Sequence, residues 1–244
     1  MGVKKIAIFG GTFDPIHKGH FYAAEIAIQK LSLDKLIFVV AKDQWRRKNP
    51  IQANPNQRLD MINLAIKEEK SNPKTKLLNY EHKFIIEASD LDIRRKGKTY
   101  TIDTINEIQS LYGNNHSYFF LIGADVALDI HNWKNFNDIN NLVNIVVVNR
   151  KMERNILPEV KERFNILTEN LIDGVSDQTS TNQRLGWSNN GLIKNHDGHI
   201  KKIMNYNSVK KYISTFKDYL CPFKLRKSCQ GIYYKITSCP NIFP

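Results

Sequence analysis

The stretch formed by residues 10–20, with the sequence GGTFDPIHKGH, constrains this chain more than any other part of it. It follows a short apolar run at residues 5–9, which has the length and composition of a buried strand. After it, Phe21, Ala24 and Ile28 recur at helical spacing. The stretch is therefore predicted to be the turn between the first strand and the first helix of an α/β domain. Such turns bind phosphates, because backbone N–H groups and the positive end of the helix dipole point there.

The residue types within the stretch suit a phosphate ligand. Gly10 and Gly11 let the backbone approach an oligophosphate closely. His17 and His20 are three positions apart at the start of the predicted helix, so they share roughly one face, and each ring can donate a hydrogen bond to a phosphoryl oxygen. The stretch is neither the dinucleotide fingerprint G-x-G-x-x-G nor a Walker A loop, because no Gly-Lys-Ser/Thr follows the glycines.

The stretch resembles the nucleotidyltransferase signature GxFDPxHxGH, whose shortest form is HxGH, here His17-Lys18-Gly19-His20. The resemblance implies that both histidines hold ATP phosphates and that Asp14 contacts the second substrate, a mononucleotide. The other ATP contacts that it implies in this stretch are Gly10, Gly11, Thr12 and Phe13.

The rest of the chain alternates between strand and helix patterns. Apolar and β-branched runs predict further strands at residues 36–41, 84–88, 118–122, 144–150 and 164–167. Helices are predicted at residues 57–69, 101–112 and 206–219. This alternation predicts an α/β fold, a Rossmann-like doubly wound parallel sheet, in a single domain of residues 1–220 with a short C-terminal helical part. Residues 221–244 are expected to form a tail of unknown role.

Two cationic features follow the second predicted strand. Residues 42–49, with the sequence KDQWRRKN, form a basic loop at the carboxyl end of that strand, so the loop is expected to face the same crevice as the first turn. Lys48 is the candidate there for the phosphate of the mononucleotide, and a solvated basic loop is the alternative. Arg58 lies in the first turn of the next helix, where the dipole disfavours a cation. Its position indicates a partner elsewhere, for which we expect a phosphate.

Tyr100 and Thr101 precede another predicted helix. Thr101 is a good N-cap and Gly113 a good helix stop, an interpretation that requires no function. Ser/Thr-Tyr-Thr before a helix also resembles the nicotinate mononucleotide adenylyltransferases. That resemblance implies that backbone groups of this turn bind the nicotinate carboxylate, with Thr104 nearby in the mononucleotide site. Both interpretations can hold, because the helix start supplies the N–H donors.

The fourth and fifth predicted strands end in polar residues. An acidic residue such as Asp125, just past a strand end, can accept a hydrogen bond from a ribose hydroxyl. Trp133 can stack on a pyridine ring, and a capping aspartate with a core tryptophan is the alternative. Gly-Ala-Asp followed by Trp-Lys resembles the same family. We assign Gly123 and Asp125 to ATP, and Trp133, Lys134 and Arg150 to the mononucleotide.

A second signature lies at residues 178–185, QTSTNQRL, which resemble [IV]-S-S-T-x-[IV]-R with glutamine at two apolar positions. Hydroxyl and N–H groups at a helix start, with a cation one turn further, can bind an anion. An ordinary helix cap is the alternative. The resemblance implies that Ser180, Thr181 and Arg184 contact ATP and that Arg184 stabilises the departing pyrophosphate.

Together these resemblances cover roughly residues 3–220 and imply a nicotinate, or nicotinamide, mononucleotide adenylyltransferase. In that reaction the AMP moiety of ATP is transferred to the mononucleotide, giving a dinucleotide and pyrophosphate in NAD biosynthesis. The 5′-phosphate is already a competent nucleophile, so the enzyme mainly has to position it and stabilise charge. His17, His20 and Arg184 are the catalytic candidates. No metal site built from the protein is expected, and Mg²⁺ is expected to be held mainly by phosphates and water.

The composition bears on location and partners. A formal net charge of +12 suits a polyanionic partner, although dispersed lysines also suit a solvated surface. No run of eighteen apolar residues exists and the first strand begins almost at Met1, so we expect no membrane span, no signal or transit peptide, and a cytoplasmic or nuclear location. Cys221, Cys229 and Cys239 match no zinc pattern and are expected to be free thiols.

Two other functions remain open. A sister adenylyl- or cytidylyltransferase of coenzyme A or FAD synthesis is the first, and Trp133 and the Tyr100–Thr101 turn argue against it. A basic nucleic-acid-binding protein is the second; it would show steep salt dependence and no ATP turnover. The expected partners are ATP, nicotinate mononucleotide and the dinucleotide, without nucleic acid or membrane, and a homo-oligomer is compatible with the sequence.

Overall fold

The computed structural model describes residues 2–42, 51–72, 84–149, 165–168, 192–194, 200–202, 207–213 and 215. Within these residues, the main sheet consists of β1 (Lys5–Gly11), β2 (Lys35–Val40), β3 (Ile85–Ser89), β4 (Ser117–Gly123), β5 (Asn144–Asn149) and β6 (Asn165–Thr168). The strand order is β3-β2-β1-β4-β5-β6, and every neighbouring pair is parallel. The predicted doubly wound α/β fold is thereby confirmed.

The described helices are α1 (Lys18–Leu31), α2 (Pro55–Ser71), α3 (Leu91–Arg94), α4 (Thr101–Tyr112), α5 (Ala124–Ala127), α6 (Phe136–Leu142) and α7 (Asn207–Ile213). A 3₁₀ turn lies at Ile130–Asn132. The sequence predicted α1, α2, α4 and α7 but not the three short helices, because four to seven residues carry too little periodicity. The expected continuation of α7 over residues 216–219 lies outside the described residues.

A small antiparallel pair, β7 (Leu192–Lys194) with β8 (Ile200–Lys202), was not predicted. Its sequence signal is the dipeptide Asp197-Gly198 between two short runs that contain isoleucine. Asp-Gly is a favoured hairpin turn, so this signal was available from the sequence.

The main sheet is buried on both faces, which explains the continuous apolar runs of its strands. Successive side chains of a strand point to opposite faces. In β1, Ala7 and Phe9 pack in the layer that contains α1, α2 and α7, whereas Ile6 and Ile8 pack in the layer that contains α4 and α6. The strands β1, β2, β4 and β5 therefore contribute to two cores, one on either side of the sheet.

The strand order places a crevice between β1 and β4. The chain leaves β1 toward β2 on one side and later returns to β4 on the other side. At such a reversal, the carboxyl ends of the strands open a crevice in which doubly wound folds bind ligands. Phe9 pairs with Leu121, so the end of β1 at Gly11 lies beside the end of β4 at Gly123. None of the described helices is long and apolar enough to cross a membrane.

Candidate active site

The turn between β1 and α1, residues 12–17, is called the signature turn here, and Phe13 anchors it. The backbone of Phe13 adopts φ of +49°, in the left-handed region that side chains rarely enter. Its ring centroid lies 5.7 Å from that of Phe9, 5.4 Å from that of Phe38 and 5.1 Å from that of His20. These contacts hold a strained backbone in place and set the position of the His20 ring.

The two glycines before the turn make room for aromatic rings. A Cβ atom on Gly11 would lie 2.7 Å from Cζ of Phe13, and one on Gly10 would lie 3.3 Å from Cζ of Phe120. The first distance is below any normal contact, so Gly11 is required for the packing of Phe13. Their approach to a phosphate, predicted from the sequence, stays a prediction.

The two histidines occupy different environments. The backbone N–H of His17, the N-cap of α1, donates to Nδ1 of His20 at 3.2 Å, and the rings stack with centroids 3.7 Å apart. When the His20 ring is neutral, an accepting Nδ1 places the ring proton on Nε2. His20 is half-buried, whereas His17 is 0% exposed. The expectation that both rings face the phosphates is therefore wrong for this conformation: His17 lies behind His20.

Asp14 is also buried, with 0% exposure. Its two carboxylate oxygens accept hydrogen bonds from the backbone N–H groups of Gln52 and Ala53, at 2.9 and 3.0 Å. This geometry contradicts the predicted contact between Asp14 and the mononucleotide. The carboxylate instead ties the signature turn to the segment before α2, since a buried charge requires such partners.

The prediction that Arg58 binds a phosphate is contradicted in a similar way. Its guanidinium is 0% exposed and donates to the backbone carbonyl oxygens of Thr12, Ala41, Lys42 and Ala53. The unfavourable position in the first turn of α2 correctly indicated a partner outside the helix, but the partners are carbonyl groups and not a phosphate.

The start of α4 differs from the prediction by one residue. Tyr100 is the N-cap and Thr101 the first helical residue, and no side chain caps the helix. The backbone N–H groups of Asp103 and Thr104 both donate to the Tyr100 carbonyl oxygen. The N–H groups of Thr101 and Ile102 therefore lie at the positive end of α4, where an anion is favoured.

Thr104 does not line this helix start. It is 4% exposed, and its hydroxyl donates to Oδ1 of Asp92 at 2.6 Å. The Arg95 guanidinium binds the same Asp92 oxygen at 2.6 Å and Oε2 of Glu107 at 2.5 Å. The predicted contact between Thr104 and the mononucleotide is therefore wrong, because its hydroxyl belongs to a buried ionic cluster.

This cluster of Asp92, Arg95, Thr104 and Glu107 was not predicted from the sequence. Burial raises the pKa of Asp92, and hydrogen bonds from Thr104 and Arg95 offset the increase only in part. Burial lowers the pKa of Arg95, but its bonds to Glu107 and Asp92 raise it further, so the net pKa lies above the ordinary value. The available signal was the charged run at residues 90–96, DLDIRRK, before α4.

Lys134, the neighbour of Trp133 in the chain, contacts Tyr100, and the role of these residues in a mononucleotide site stays a prediction. Nζ of Lys134 is 4.2 Å from the centroid of the Tyr100 ring, a cation–π contact. Trp133 is half-buried, and its ring meets that of Phe120 edge to face at 5.9 Å. Phe120 also lies next to Gly10, the β1 residue two positions before the signature turn.

Several predicted site residues lie outside the described residues: Lys48, Arg150, Ser180, Thr181 and Arg184. The backbone of Asp125 lies in α5, directly after Gly123 at the end of β4, and its side chain is not among the described ones. Within the described part of the chain, no three His, Cys, Asp or Glu side chains converge as metal ligands.

Comparisons with known proteins identify the family of this chain. The model of the Cytidylyltransferase-like family matches residues 8–176. A protein of Clostridium tetani named "Probable nicotinate-nucleotide adenylyltransferase" is 38% identical over 148 residues, which are 61% of this chain and 66% of that relative. A protein of the same name from Thermoanaerobacter sp. is 34% identical over 69% of this chain and 74% of the relative. The chain thus spans slightly less than two thirds of the Clostridium tetani protein.

A solved structure has a similar fold. The nicotinic acid mononucleotide adenylyltransferase of Plasmodium falciparum, complexed with NaAD, superposes with a TM-score of 0.58 at 18% identity, covering 88% of this chain and 97% of that one. A second structure of that protein, complexed with APC, has the same TM-score. The family match and the identity to these relatives show that the chain belongs to the Cytidylyltransferase-like family and, within it, to the nicotinate-nucleotide adenylyltransferases.

Proposed function

We propose that this protein transfers the AMP moiety of ATP to nicotinate mononucleotide, releasing pyrophosphate and a dinucleotide for NAD biosynthesis. The observation that carries the proposal is the arrangement at the β1–β4 crevice. The His20 ring stacks on the ring of His17 at the end of the signature turn, and the Phe120 ring lies next to both Gly10 of β1 and Trp133. A crevice that combines hydrogen-bond donors for phosphate with an aromatic stacking surface suits a reaction between ATP and a nucleotide with an aromatic base.

The chemistry requires little covalent help from the protein. An oxygen of the mononucleotide 5′-phosphate attacks the α-phosphorus of ATP in line, a new P–O bond forms, and the bond to the β-phosphate breaks with release of pyrophosphate. Charge increases on the phosphoryl oxygens during this step. His20 Nε2–H donates to them, held by the His17 backbone bond and the stacked His17 ring. Arg184 supports the departing pyrophosphate in this proposal.

The two substrates use the two sides of the crevice. ATP contacts backbone groups of Gly10, Gly11, Thr12 and Phe13 and, further on, Gly123, Asp125, Ser180 and Thr181. The nicotinate ring stacks on Trp133, and its carboxylate accepts hydrogen bonds from the N–H groups of Thr101 and Ile102. Lys134 lies beside that ring, and Lys48 and Arg150 bind the mononucleotide phosphate.

Mg²⁺ enters the proposal as part of the nucleotide substrate. It binds phosphate oxygens and water, which are the ligands it prefers, and neutralises phosphate charge. The imidazole groups near the turn are poor Mg²⁺ ligands, which fits a role for His20 as a hydrogen-bond donor to phosphate. An intracellular location goes with the proposal, because ATP is the co-substrate.

The direct test is an assay of the purified protein with ATP, Mg²⁺ and nicotinate mononucleotide. We expect pyrophosphate and the dinucleotide in equal amounts, and neither when the mononucleotide is omitted. Phosphopantetheine and FMN, the acceptors of sister enzymes, serve as controls. Turnover of either one in place of nicotinate mononucleotide would contradict the proposal, as would salt-sensitive RNA binding without any ATP turnover.

A further inference from the structure

A buried cation connects three segments of the chain around the crevice. Nη1 of Arg58 donates to the carbonyl oxygens of Thr12 at 2.7 Å and Ala41 at 2.8 Å. Its Nη2 and Nε donate to the carbonyl oxygens of Lys42 and Ala53, both at 3.2 Å. Thr12 belongs to the signature turn, Ala41 and Lys42 follow β2, and Ala53 precedes α2. Charged donors make the stronger hydrogen bonds, so Arg58 holds the signature turn against the end of β2.

Lys42 extends this connection across the sheet end. Its Nζ donates to the carbonyl oxygen of Arg95 at 3.0 Å. The Arg95 side chain in turn binds Asp92 and Glu107, and its Nη1 lies 3.3 Å from Oγ1 of Thr104, which is in the first turn of α4. Hydrogen bonds, together with the side chains of Lys42 and Arg95 between them, therefore connect Thr12 through Arg58 to the start of α4.

We propose that Arg58, Lys42 and Arg95 are positioning residues that hold the signature turn and the start of α4 at one separation. The inference rests on the proposed function, in which the first segment binds ATP and the second binds the nicotinate ring. In-line transfer requires the attacking oxygen to lie about 3–3.5 Å from the phosphorus, and a misplacement of 1 Å can reduce the rate about 10²-fold. These three residues set that distance without contacting either substrate.

The inference predicts that the affinity of the dinucleotide, but not that of either substrate, depends on the separation of the two segments. ATP and the mononucleotide each contact one segment, so their separate affinities do not depend on the distance between the segments. The dinucleotide product contacts both segments at once. Its affinity therefore reports the separation directly, as an equilibrium quantity that does not depend on the rate of catalysis.

The test is the variant Lys42→Met, which keeps a long apolar side chain but removes the donor to Arg95. Isothermal calorimetry on the full chain gives Kd values for a non-hydrolysable ATP analogue, for nicotinate mononucleotide and for the dinucleotide. We expect the first two to change by less than about twofold and the dinucleotide to bind about tenfold more weakly, with kcat also reduced about tenfold. Arg58→Ala would leave four buried carbonyl groups without their donor and is expected to unfold the protein, so Lys42 is the better choice.

Two further variants serve as controls. Lys35→Met makes the same substitution at the other end of β2, where Nζ lies 3.0 Å from Oε1 of Glu87, and should leave all three Kd values unchanged. Lys42→Arg retains a donor and should restore most of the dinucleotide affinity. The fitted number of binding sites separates a loss of folded protein from a change in Kd.

Three results would overturn the inference. Unchanged dinucleotide affinity in Lys42→Met would show that the connection does not set the separation. If Lys42→Met bound the mononucleotide as weakly, relative to the wild type, as it binds the dinucleotide, Lys42 would contact the mononucleotide directly. If its affinity for the ATP analogue fell equally, the substitution would disturb the signature turn in general. Failure of the wild-type protein to bind the mononucleotide and the dinucleotide is a different result: it would overturn the proposed function and, with it, this inference.

Discussion

Among single side chains, His20 has the most specific environment in the crevice. His17 supplies a backbone donor and a stacked ring, and Phe13 supplies an edge contact, so three contacts from two residues hold one imidazole. A donor held in advance stabilises developing charge better than a mobile one, because it needs no reorganisation during the reaction.

His20→Ala should therefore lower kcat by about 10²-fold, or about 2.7 kcal/mol in the activation free energy, and change the KM for ATP much less. Steady-state kinetics with both substrates check this. His116→Ala is a matched control, because His116 precedes β4 at the opposite end of the sheet, and it should leave kcat unchanged. A His20 variant altered only in KM would indicate a ground-state contact instead.

Gly11→Ala should destabilise the fold, because its Cβ would lie 2.7 Å from the Phe13 ring. Overpacking of this kind costs about 1–3 kcal/mol of unfolding free energy. Urea unfolding measures the change, and Gly2→Ala, with no atom within 4 Å of its added Cβ, should have no effect. An unchanged unfolding midpoint together with lost ATP binding would instead support close approach of a phosphate to Gly11.

Trp133→Ala should raise the KM for the mononucleotide and leave that for ATP nearly unchanged. By analogy with base stacking, the loss of binding free energy for the mononucleotide is about 1–3 kcal/mol. Trp133→Phe retains a smaller stacking ring, so its KM for the mononucleotide should lie between those of the wild type and of Trp133→Ala. If ATP affinity falls equally, the contact of Trp133 with Phe120 is its main role.

Among the helices, α2 supplies acidic side chains to two helix starts. Glu69 binds Nζ of Lys18 at 2.8 Å and so offsets a cation in the first turn of α1. Glu68 accepts hydrogen bonds from the backbone N–H groups of Asn207 and Ser208 and from the Ser208 hydroxyl. Glu68 thus caps α7 from another helix, which is why the sequence around α7 shows no acidic cap of its own.

The capping of α7 should depend on pH. Burial raises the pKa of Glu68, but hydrogen bonds from Ser208 and Asn207 and the charge of Lys18 lower it further, so its net pKa lies below the ordinary value of 4.5. A lowered pKa in the folded state means that the stabilisation is fully present above the unfolded pKa and is lost as the pH falls through the folded one.

The variant Glu68→Gln isolates this effect. Its deficit in unfolding free energy relative to the wild type should be largest at neutral pH and shrink below about pH 4.5, the ordinary pKa of the group. Urea unfolding at pH 7 and pH 4 measures both differences. A deficit of the same size at both pH values would show that the carboxylate charge does not hold α7.

For the whole molecule, the crevice joins elements that are far apart in the chain, and their arrangement predicts substrate choice. In the proposed site, the nicotinate carboxylate would meet the N–H groups of Thr101 and Ile102 at the positive end of α4. An amide gains less there, because its NH₂ group would face donors. We expect kcat/KM to favour the nicotinate form about tenfold, or about 1.4 kcal/mol.

Competition of the two mononucleotides in one assay measures this ratio directly. Equal use, or a preference for the amide, would show that an acceptor such as the Asp103 carboxylate contacts the ring substituent. Asp103→Asn would then reduce the use of the amide form.

The sequence by itself determined the strands of the main sheet, the long helices and the place of the signature turn. These features depend on local patterns: apolar runs for strands buried on both faces, helical spacing in α1 and α2, and Gly113 at the end of α4. The parallel direction of the strands could be predicted because strands alternate with helices along the chain. The residues around Gly10 and His20 were recognised for the same reason, since the turn that contains them is continuous in sequence.

Only the tertiary structure decided which polar residues face the crevice. Arg58 meets carbonyl groups of Thr12 and Lys42, which are distant along the chain, and Thr104 meets Asp92 twelve residues earlier. Residue type and spacing could indicate that these groups required partners but not which partners they would have. Burial resolved the choice: a polar group removed from water must bind the nearest donor or acceptor, and the packing of distant segments determines which one is near.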